Sequence, residues 1–574
     1  MKRLIYTSPA RRRGRVFRYF LLGFALMATG GTSAQPASQA VPKYSVIDTL
    51  RMASTSRSNP LTVRVGLLEG YEKVTFQMHG AYCMETLAGQ PLRVAKSSSL
   101  RWRARIENSL KAQFLYSVLV TSFRQREEAM TLAEEFERGG SPAVVRQMGG
   151  PIDVNNRVLG DNTVYRVQAG NFKSEEEAAH LADSLEDEFA PRVVRETLRR
   201  GHGNIELFDS DLNESFSAAD GFRIIPDSPD ARLTIYGVFT VTGFRYEKTE
   251  NRDYAGIVEI YVDESGQLAA LNEIPIDVYL RGVVPAEMPA GFPPEALKAQ
   301  AILSRSVVMA EKSVKHLNDP FELCANVHCQ VYSGLTHEDE RTNAAVDATT
   351  GIILMQDGSL VDAHYSAVCG GHTEDADLTW RTPIMHPSKG VPCTCGDSVD
   401  MPDLTTETGA RKWIQSMPDV CCNLSGLNLP VSSDYGQKHF RWEVSYTRHE
   451  LEKIIKEKTG ESIGTLYDII PLKRGVSGRL VEVEVLGSRK NIVIRRELNI
   501  RRALSSTQLE SSCFIVDVVH DSSGMPMEIV LTGAGWGHGV GLCQCGAARQ
   551  AAQGATEEQI FEHYFPGMKV EKVY

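Results

Sequence analysis

Short runs in which apolar and polar residues alternate recur along the chain and predict β-strands. Two such runs, at 62–67 and 74–78, flank a glycine-containing turn and predict a hairpin. From residue 222 onward the sequence is again rich in such runs, at 232–236, 237–242, 257–262 and 268–271. The pattern predicts two strand-rich regions, one that begins at residue 62 and one that begins at residue 222.

An internal repeat separates these two parts. The segment 116–123 aligns with 165–172, and each is followed by a polar turn and an amphipathic helix with apolar residues at helical spacing. A second strand closes each unit, at 143–146 and 192–195. Two βαβ units of this size fold as one four-stranded sheet backed by two helices. We therefore predict an α+β chain, mostly β, in which a ferredoxin-like (βαββαβ) module lies between the two strand-rich regions.

One helix is expected to begin at Pro293 and Pro294. Proline is tolerated in the first helical turn, because the N–H that it lacks would have no hydrogen-bond partner within the helix. Glu287 precedes this helix in a loop bounded by Pro285 and Pro289. Taken alone, Glu287 has the features of a surface residue. Its fixed position between two prolines also makes it a candidate catalytic group.

Composition narrows the class of protein. The 574 residues suggest two to four domains, and 42% hydrophobic with 23% charged residues is typical of globular protein. The formal net charge of -10 argues against nucleic-acid binding, which requires a basic face.

The first forty residues have the pattern of an export signal. A basic stretch precedes the apolar run 20–28, which is short for a membrane span, and small residues follow at 32–34. We predict a signal peptide over 1–34, a linker over 35–60, and an exported, periplasmic or cell-envelope protein with no stable membrane span after cleavage. An uncleaved anchor is the alternative.

Four candidate metal ligands fall within fourteen residues: His316, Cys324, His328 and Cys329. Two thiols and two imidazoles could close a tetrahedral zinc site, and a site closed by four protein ligands is structural and does not activate water. The alternative is a disulfide, or free thiols beside incidental histidines.

Further cysteines form two close pairs: Cys393 with Cys395, and Cys421 with Cys422. Disulfide geometry disfavours a bridge within such a pair. These thiols could form a second metal site or longer-range disulfides, with Cys369 or Cys543 as further partners. Export would permit disulfides.

Two long motifs give the chain a family resemblance. The stretch YLRGVVPAEMPAGFPPEALKAQAILSRS at 279–306 and the stretch GAGWGHGVGLCQCGA at 533–547, followed by HYFPG at 563–567, resemble signatures of the SpoIID/LytB family. The stretch YRVQAGNFKSEEEAAHLADSL at 165–185 resembles a SPOR domain, which would cover 112–197. The SpoIID/LytB resemblance covers 61–98 and 222–574 and implies one mostly-β domain in two parts, with the SPOR-like module between them. The SPOR resemblance implies binding to glycan strands stripped of their stem peptides.

The SpoIID/LytB resemblance implies that Glu287 is a catalytic acid, and that the segment with His316, Cys324, His328 and Cys329 carries zinc. Most glycosidases need two carboxylates. A lytic transglycosylase needs only one, because the C6 hydroxyl of the N-acetylmuramyl residue attacks its own anomeric carbon and leaves a 1,6-anhydro end.

We predict a peptidoglycan lytic transglycosylase that cleaves peptide-free glycan strands during wall remodelling at division or sporulation. The predicted catalytic residues are Glu287 and His538. The predicted substrate-binding residues are Arg305, Gln330, Tyr332, Trp536 and Gln544. The predicted glycan-binding residues of the SPOR-like module are Tyr165, Gln168 and Phe172.

Three alternatives stay open at this point. His538 could be a core histidine with a satisfied ring. The chain could be a non-catalytic, wall-binding activator of an N-acetylmuramoyl-L-alanine amidase, since some family relatives are amidase enhancers. It could also be a purely structural wall-binding protein. Peptidoglycan glycan strands are the expected partner in each case, with a cell-wall amidase as a second candidate.

Overall fold

The computed structural model describes most of the chain beyond residue 60. The described residues are 61–95, 100–185, 189, 191–210, 214–242, 246–380, 386–396, 399–427 and 434–574. The predicted signal peptide and linker lie outside them. No helix within the described ranges is both long enough and apolar enough to cross a membrane.

Five strands form the first part of the strand-rich domain: β1 (Thr62–Tyr71), β2 (Lys73–His79), β3 (Tyr82–Thr86), β4 (Pro91–Ala95) and β5 (Arg101–Leu110). The predicted strands at 62–67 and 74–78 are confirmed, but the predicted hairpin is wrong. Strands β1 and β2 belong to different sheets, so the bend at Glu72 carries the chain from one sheet to the other.

The repeat then forms a compact α+β module. Its elements are β6 (Gln113–Phe123), α1 (Arg126–Arg138), β7 (Ala143–Met148), β8 (Pro151–Val154), β9 (Arg157–Asp161), β10 (Val164–Phe172), α2 (Glu175–Leu185) and β11 (Arg192–Arg199). The sheet order is β11-β6-β10-β7, and all three pairs are antiparallel. Strands β8 and β9 form an extra hairpin. Ala129 and Ala133 of α1 pack on Val167 of β10, which closes the core of the module.

The chain returns to the strand-rich domain through seven strands: β12 (His202–Asp209), β13 (Ser215–Ala219), β14 (Gly221–Pro226), β15 (Arg232–Thr242), β16 (Tyr246–Tyr254), β17 (Ile257–Val262) and β18 (Leu268–Pro275). Strands β5 and β12 pair from Trp102 opposite Asp209 to Leu110 opposite His202. The module is therefore inserted at the end of this two-stranded ladder, and the flanking domain extends beyond the predicted boundaries at 98 and 222.

Helices and short strands follow: α3 (Ile276–Glu287), α4 (Pro294–Glu311), β19 (Leu323–Cys324), α5 (Glu340–Ala348), β20 (Ile352–Gln356), β21 (Ser359–Leu360), β22 (Tyr365–Ser366) and α6 (Ala376–Thr379). With β19 included, the seven-stranded sheet has the order β19-β1-β18-β17-β14-β3-β4, and the six-stranded sheet has the order β13-β12-β5-β2-β15-β16. The rings of Phe76 and Phe222, one from each sheet, lie 6.1 Å apart, so the apolar faces of the sheets meet in one core.

The C-terminal part contains α7 (Glu407–Ile414), α8 (Asp434–Phe440), β23 (Arg441–Thr447), α9 (Arg448–Thr459), β24 (Leu466–Arg474), β25 (Leu480–Gly487), β26 (Ile492–Arg495), α10 (Glu497–Ala503), β27 (Phe514–His520), β28 (Pro526–Ala534), β29 (Leu542–Cys543), α11 (Gln544–Ala552), α12 (Glu557–Tyr564) and β30 (Lys569–Lys572). Two three-stranded sheets, β23-β28-β27 and β24-β25-β26, share a second core. Helix α11 packs on α4 and brings the glycine-rich segment 533–547 close to the segment around Glu287.

Candidate active site

Glu287 is the last residue of α3, so its predicted loop position is wrong. Tyr279, Val283 and Val284 of this helix are buried in the core of the two sheets, which fixes the helix. Pro285 lies inside the last helical turn and does not end the helix before it. The helix predicted after Glu287 is confirmed, and it begins at Pro294.

The Glu287 carboxyl group lies in a half-buried polar pocket. Its Oε1 accepts a hydrogen bond of 2.7 Å from the Val331 N–H, and the Tyr365 hydroxyl lies within hydrogen-bond reach. Burial raises the pKa of Glu287 to about 7, although these two hydrogen bonds act in the opposite direction. A carboxyl group with a pKa near 7 can both give and accept a proton at neutral pH, as general acid–base catalysis requires.

A chain of buried amides holds the segments around Glu287. Gln544 Nε2 donates to the Glu287 carbonyl at 3.1 Å and to Gln300 Oε1 at 3.0 Å. The Tyr365 hydroxyl donates to Gln330 Oε1 at 2.9 Å, and Gln330 Nε2 donates to the Ser304 carbonyl at 3.2 Å. Gln330 and Gln544 were predicted to bind substrate. Both are only 2% exposed, so this geometry gives them a positioning role instead.

Arg305 and Tyr332 are also enclosed, which corrects their predicted contact with substrate. Arg305 is 0% exposed and forms an ion pair of 2.6 Å with Asp277. Tyr332 is likewise fully buried, and its hydroxyl donates to Asn272 Oδ1 at 2.9 Å. A side chain that is fully buried and paired has no surface for a ligand, so these two residues stabilise the fold beneath Glu287.

Trp536 is the one predicted substrate-binding residue that is partly exposed. Its ring stacks on His439 at 4.0 Å, and the Tyr435 ring lies 5.9 Å away. Tyr435 also contacts Phe292, with ring centroids 6.0 Å apart. Burial raises the pKa of the Tyr435 hydroxyl, and the nearby carboxylate charge of Glu287 raises it further. These rings form an aromatic wall beside Glu287, a surface on which a sugar ring can stack.

His538 differs from the predicted catalytic histidine, because both of its ring nitrogens are occupied by backbone groups. Its Nδ1 accepts from the Val540 N–H at 3.1 Å, so the proton of the neutral ring resides on Nε2. The ring also forms a hydrogen bond with the backbone of Tyr365, and it contacts the Trp380 ring, with centroids 4.9 Å apart. Burial holds the pKa of His538 well below its ordinary value, with further lowering from His364 and Arg479. We therefore assign His538 a positioning role: it fixes Tyr365, which in turn contacts Glu287.

A general acid at the position of Glu287 would have a defined dependence on pH. The pKa of Glu287 is raised to about 7, so the protonated acid predominates below this pH and is lost above it. We expect kcat/KM for glycan cleavage to be level in weak acid and to fall about tenfold per pH unit above about 7. Rates measured from pH 5 to 9 test this expectation. A plateau through pH 9, or a fall that begins near pH 4.5, would contradict it.

The four predicted metal ligands are brought together by the fold. Their donor atoms all lie within 4.8 Å of one another, with His316 Nε2 3.3 Å and His328 Nδ1 3.6 Å from Cys329 Sγ. Cys324 is placed by β19, which pairs in parallel with β1. His316 Nδ1 lies 2.8 Å from Asp319 Oδ2, a contact that would orient the ring and leave Nε2 for a metal. Two thiols and two imidazoles at these distances fit a tetrahedral zinc ion.

This cluster is connected directly to Glu287. Only Gln330 separates Cys329 from Val331, whose N–H donates to the Glu287 carboxylate. A metal that fixes Cys329 would therefore also fix the donor that holds Glu287.

Comparisons with known families divide the chain into three matched regions. The family model described as stage II sporulation protein (SpoIID) matches residues 264–356, which include Glu287 and the four candidate ligands. The SPOR domain model matches residues 112–195. The chain carries a SpoIID domain and a SPOR domain. A domain of unknown function, DUF8618, matches residues 422–541 and includes Tyr435, Trp536 and His538.

Curated relatives share the SpoIID region at low identity. An uncharacterized protein of Brachyspira hyodysenteriae is 26% identical over 333 residues, which span 58% of this chain and 74% of the relative. Stage II sporulation protein D of Bacillus subtilis is 25% identical, with 52% of this chain and 76% of that protein covered. The amidase enhancer of Bacillus subtilis is also 25% identical, but this chain spans only 39% of its length.

Among solved structures, the peptidoglycan binding domain of the Bacillus subtilis cell wall lytic enzyme CwlC is 25% identical to this chain. The match covers 15% of this chain and 95% of that domain. Its TM-score of 0.12 is too low to support a structural conclusion.

The three predicted glycan-binding residues of the SPOR domain have different surroundings. Tyr165 packs partly into the core beneath α1. Gln168 is half-buried and accepts a hydrogen bond of 2.9 Å from Arg146, and Phe172 pairs across the strands with Tyr116. Gln168 and Phe172 thus remain candidates for glycan contact, whereas the packing of Tyr165 favours a structural role.

Several functional candidates of the SpoIID and DUF8618 regions were not predicted from the sequence. Tyr365 and Tyr435 both lie outside the two family motifs at 279–306 and 533–547. Asp319 was missed although it lies between His316 and Cys324, where a carboxylate beside a metal-binding histidine is a recognisable signal.

Proposed function

We propose that this protein is a lytic transglycosylase that cleaves peptide-free glycan strands of peptidoglycan. One observation carries the proposal: Glu287 has a half-buried carboxyl group with a pKa of about 7 beside the aromatic wall of Tyr435 and Trp536. The SpoIID and SPOR matches support a role in cell-wall remodelling. Protonated Glu287 would donate its proton to the glycosidic oxygen as the bond to the anomeric carbon breaks.

The remainder of the reaction needs no second protein carboxylate. The C6 hydroxyl oxygen of the N-acetylmuramyl residue forms the new bond to its own anomeric carbon, and Glu287 takes the hydroxyl proton. The acid is thereby regenerated, and the products are a 1,6-anhydro end and a free 4-hydroxyl. Because the nucleophile belongs to the substrate, its effective molarity is high and no water has to be positioned.

The four ligands near Glu287 are proposed to hold one structural zinc ion: His316, Cys324, His328 and Cys329. A zinc ion with four protein ligands supplies folding free energy and has no open position for a water molecule. Its proposed role is to fix the segment from Cys324 to Val331, and with it the hydrogen bond to Glu287.

The inserted module is inferred to be a ferredoxin-like SPOR domain that binds the same substrate. The strand order β11-β6-β10-β7, with α1 packed on β10 and β7 and α2 packed on β6 and β11, supports this inference. Contacts also join the module to the end of α4: Asn162 Nδ2 donates to the carbonyls of Ala310 and Lys312, and Arg166 donates to the Val314 carbonyl. A glycan bound by the module would then be concentrated near Glu287.

Glycan binding gives a second prediction. Full-length protein with Glu287→Gln, which prevents turnover, should co-sediment with amidase-treated sacculi in preference to untreated sacculi. Adding Gln168→Ala should weaken this binding by roughly tenfold, because the substitution removes the half-buried amide that is a candidate for glycan contact. Glu135→Ala, on the outer surface of α1, is the control and should bind normally. Equal binding to both kinds of sacculi would show that the module is a spacer.

A second function is favoured by the relative named amidase enhancer. In that case the protein would bind the wall and stimulate an amidase without cleaving glycan. The two functions differ in their dependence on Glu287. Glu287→Gln should leave stimulation of a cell-wall amidase intact if the chain is an activator, and should lower glycan cleavage by at least about 100-fold if it is an enzyme.

The proposed setting is the cell envelope, outside the cytoplasmic membrane. Both matched domain types are cell-wall-related. The family name suggests sporulation, whereas a SPOR domain is equally suited to wall remodelling at division. A cell-wall amidase is the proposed partner, because it would supply the peptide-free strands that this enzyme consumes.

A further inference from the structure

A second group of thiols meets in the core of the C-terminal part. Four cysteines from separate segments of the chain form it: Cys369, Cys393, Cys422 and Cys543. Their Sγ atoms all lie within 4.8 Å of one another, and none of the four side chains is more than 1% exposed. We propose that these four cysteines bind one tetrahedral metal ion, with zinc as the expected metal.

The distances fit one ion better than a larger cluster. A zinc ion with Zn–S bonds of about 2.3 Å places its sulfur ligands about 3.8 Å apart. The Sγ atoms of Cys369 and Cys422 are 3.6 Å apart. An iron–sulfur cluster would fill the space between the thiolates with several iron and sulfide atoms, and would hold them farther apart.

Hydrogen bonds from the backbone support sulfur atoms that carry negative charge. The Cys369 N–H donates to Cys543 Sγ at 3.2 Å, and the Gly371 N–H turns back to Cys369 Sγ at 3.4 Å. This turn needs glycine, because Gly370 and Gly371 have φ values of 84° and 120°. The Tyr564 hydroxyl lies 3.1 Å from Cys393 Sγ and can donate to it. Such outer contacts orient metal ligands.

Positive charge is also available nearby. Arg441 donates to the Gly370 carbonyl at 3.1 Å, and Arg479 donates to the Cys369 carbonyl at 3.0 Å. Cys543 is the N-cap residue of the nine-residue helix α11, a position that favours a thiolate. Four thiolates around Zn²⁺ carry a net charge of -2, and these groups would offset it inside the core.

A disulfide is the principal alternative, and the neighbouring sequence offers a direct comparison. Cys395 and Cys421 form a disulfide, and each lies close in sequence to a member of the group. The adjacent residue Cys422 and the nearby Cys393 remain unbridged. The disulfide thus takes one cysteine from each close pair, Cys395 and Cys421. The other cysteine of each pair, Cys393 or Cys422, is left to bind the ion.

The proposed ion would brace the aromatic wall. Val368, next to Cys369, forms a β-bridge with Trp536, and the Trp536 N–H donates to its carbonyl at 2.7 Å. Cys543 directly precedes Gln544, which donates to the Glu287 carbonyl. The first zinc site would fix Val331, which donates to the Glu287 carboxylate. This second site would fix Gln544, which donates to the Glu287 carbonyl, and Trp536 of the aromatic wall.

The test compares metal content among variants of the full chain, purified without chelators. Wild-type protein should contain two zinc ions per chain. Cys422→Ser should lose one and keep the ion at His316, Cys324, His328 and Cys329, whereas Cys513→Ser should keep both. Cys513 is a suitable control because it is equally buried and belongs to neither group. A folded Cys422→Ser protein with unchanged metal content would overturn the proposal.

X-ray absorption at the zinc edge gives a second readout on wild-type protein, in case Cys422→Ser does not fold. Two occupied sites, one with two sulfur and two nitrogen ligands and one with four sulfur ligands, predict an average of three sulfur ligands per zinc. One zinc with four sulfur ligands would support this site and contradict the first one. One zinc with two sulfur ligands, or peptide mapping that finds a disulfide within the group, would refute it.

Discussion

Glu287→Gln is expected to lower the rate of glycan cleavage by about 100- to 10,000-fold, the range that general acid–base catalysis supplies. The amide has the shape of the carboxyl group, and its oxygen can still accept the hydrogen bond from Val331. It cannot deliver a proton to the glycosidic oxygen. Fold and glycan binding should therefore be retained, as checked by circular dichroism and by co-sedimentation with amidase-treated sacculi.

The same substitution has a stability signature that tests whether the pKa of Glu287 is raised in the folded protein. The raised pKa means that folding favours protonated Glu287, so its contribution to stability is complete at low pH and is lost as the pH rises through about 7. Glu287→Gln should thus be close to neutral for thermal stability at pH 5 and stabilising at pH 8.

Glu295→Gln is the matched control, because Glu295 lies in the next helix and forms a partly exposed ion pair with Lys298. We expect it to retain activity and to change stability by less than about 1 kcal/mol. If Glu287→Gln retained near-wild-type turnover while this control behaved as expected, Glu287 would not be the acid.

Cys329→Ser is the second substitution with a large expected effect. It should remove the zinc ion proposed at the first site, lower the melting temperature, and reduce cleavage by roughly 10- to 100-fold, the range seen when the supporting shell of a metal site is lost. The reason for the coupled loss is geometric: Val331, two residues away, donates to Glu287. Metal analysis, thermal melts and glycan digestion should change together.

Cys513→Ser again serves as the control and should leave zinc content, stability and activity near wild-type values. Two results would contradict this account of the first site. One is wild-type protein, purified without chelators, that contains no zinc. The other is a disulfide between Cys324 and Cys329 found by peptide mapping, because bridged sulfur atoms cannot be thiolate ligands.

Local features of the fold could be predicted from the sequence. The strand at Ile257–Val262 and the start of α4 at Pro294 follow from alternation and from proline chemistry, both of which act within a few residues. The pairing of strands is not local. Alternation indicated strands at β1 and β2 but could not show that they belong to different sheets. The end of α3 was missed because tertiary packing of Val283 and Val284 continues the helix past Pro285.

In the candidate site, too, groupings within one short segment could be predicted, whereas burial that depends on long-range packing could not. His316, Cys324, His328 and Cys329 could be grouped from the sequence because they lie within one short segment. Arg305, Gln330 and Gln544 were predicted to contact substrate because a polar residue in a motif has the same appearance whether it faces a ligand or the core. Their burial depends on how α4 and α11 pack.

The partners of the remaining cysteines could not be predicted, since Cys369 and Cys543 are 174 residues apart. Only the folded chain brings their sulfur atoms together with those of Cys393 and Cys422.

Digestion of amidase-treated peptidoglycan, followed by mass spectrometry of the released ends, tests the central claim most directly. Wild-type protein should generate 1,6-anhydro-N-acetylmuramyl ends in proportion to the time of digestion, and Glu287→Gln should generate none above background. Reducing ends in place of anhydro ends would show hydrolysis. The absence of any new ends, together with stimulation of an added amidase, would show that the protein is an activator and would contradict the proposed function.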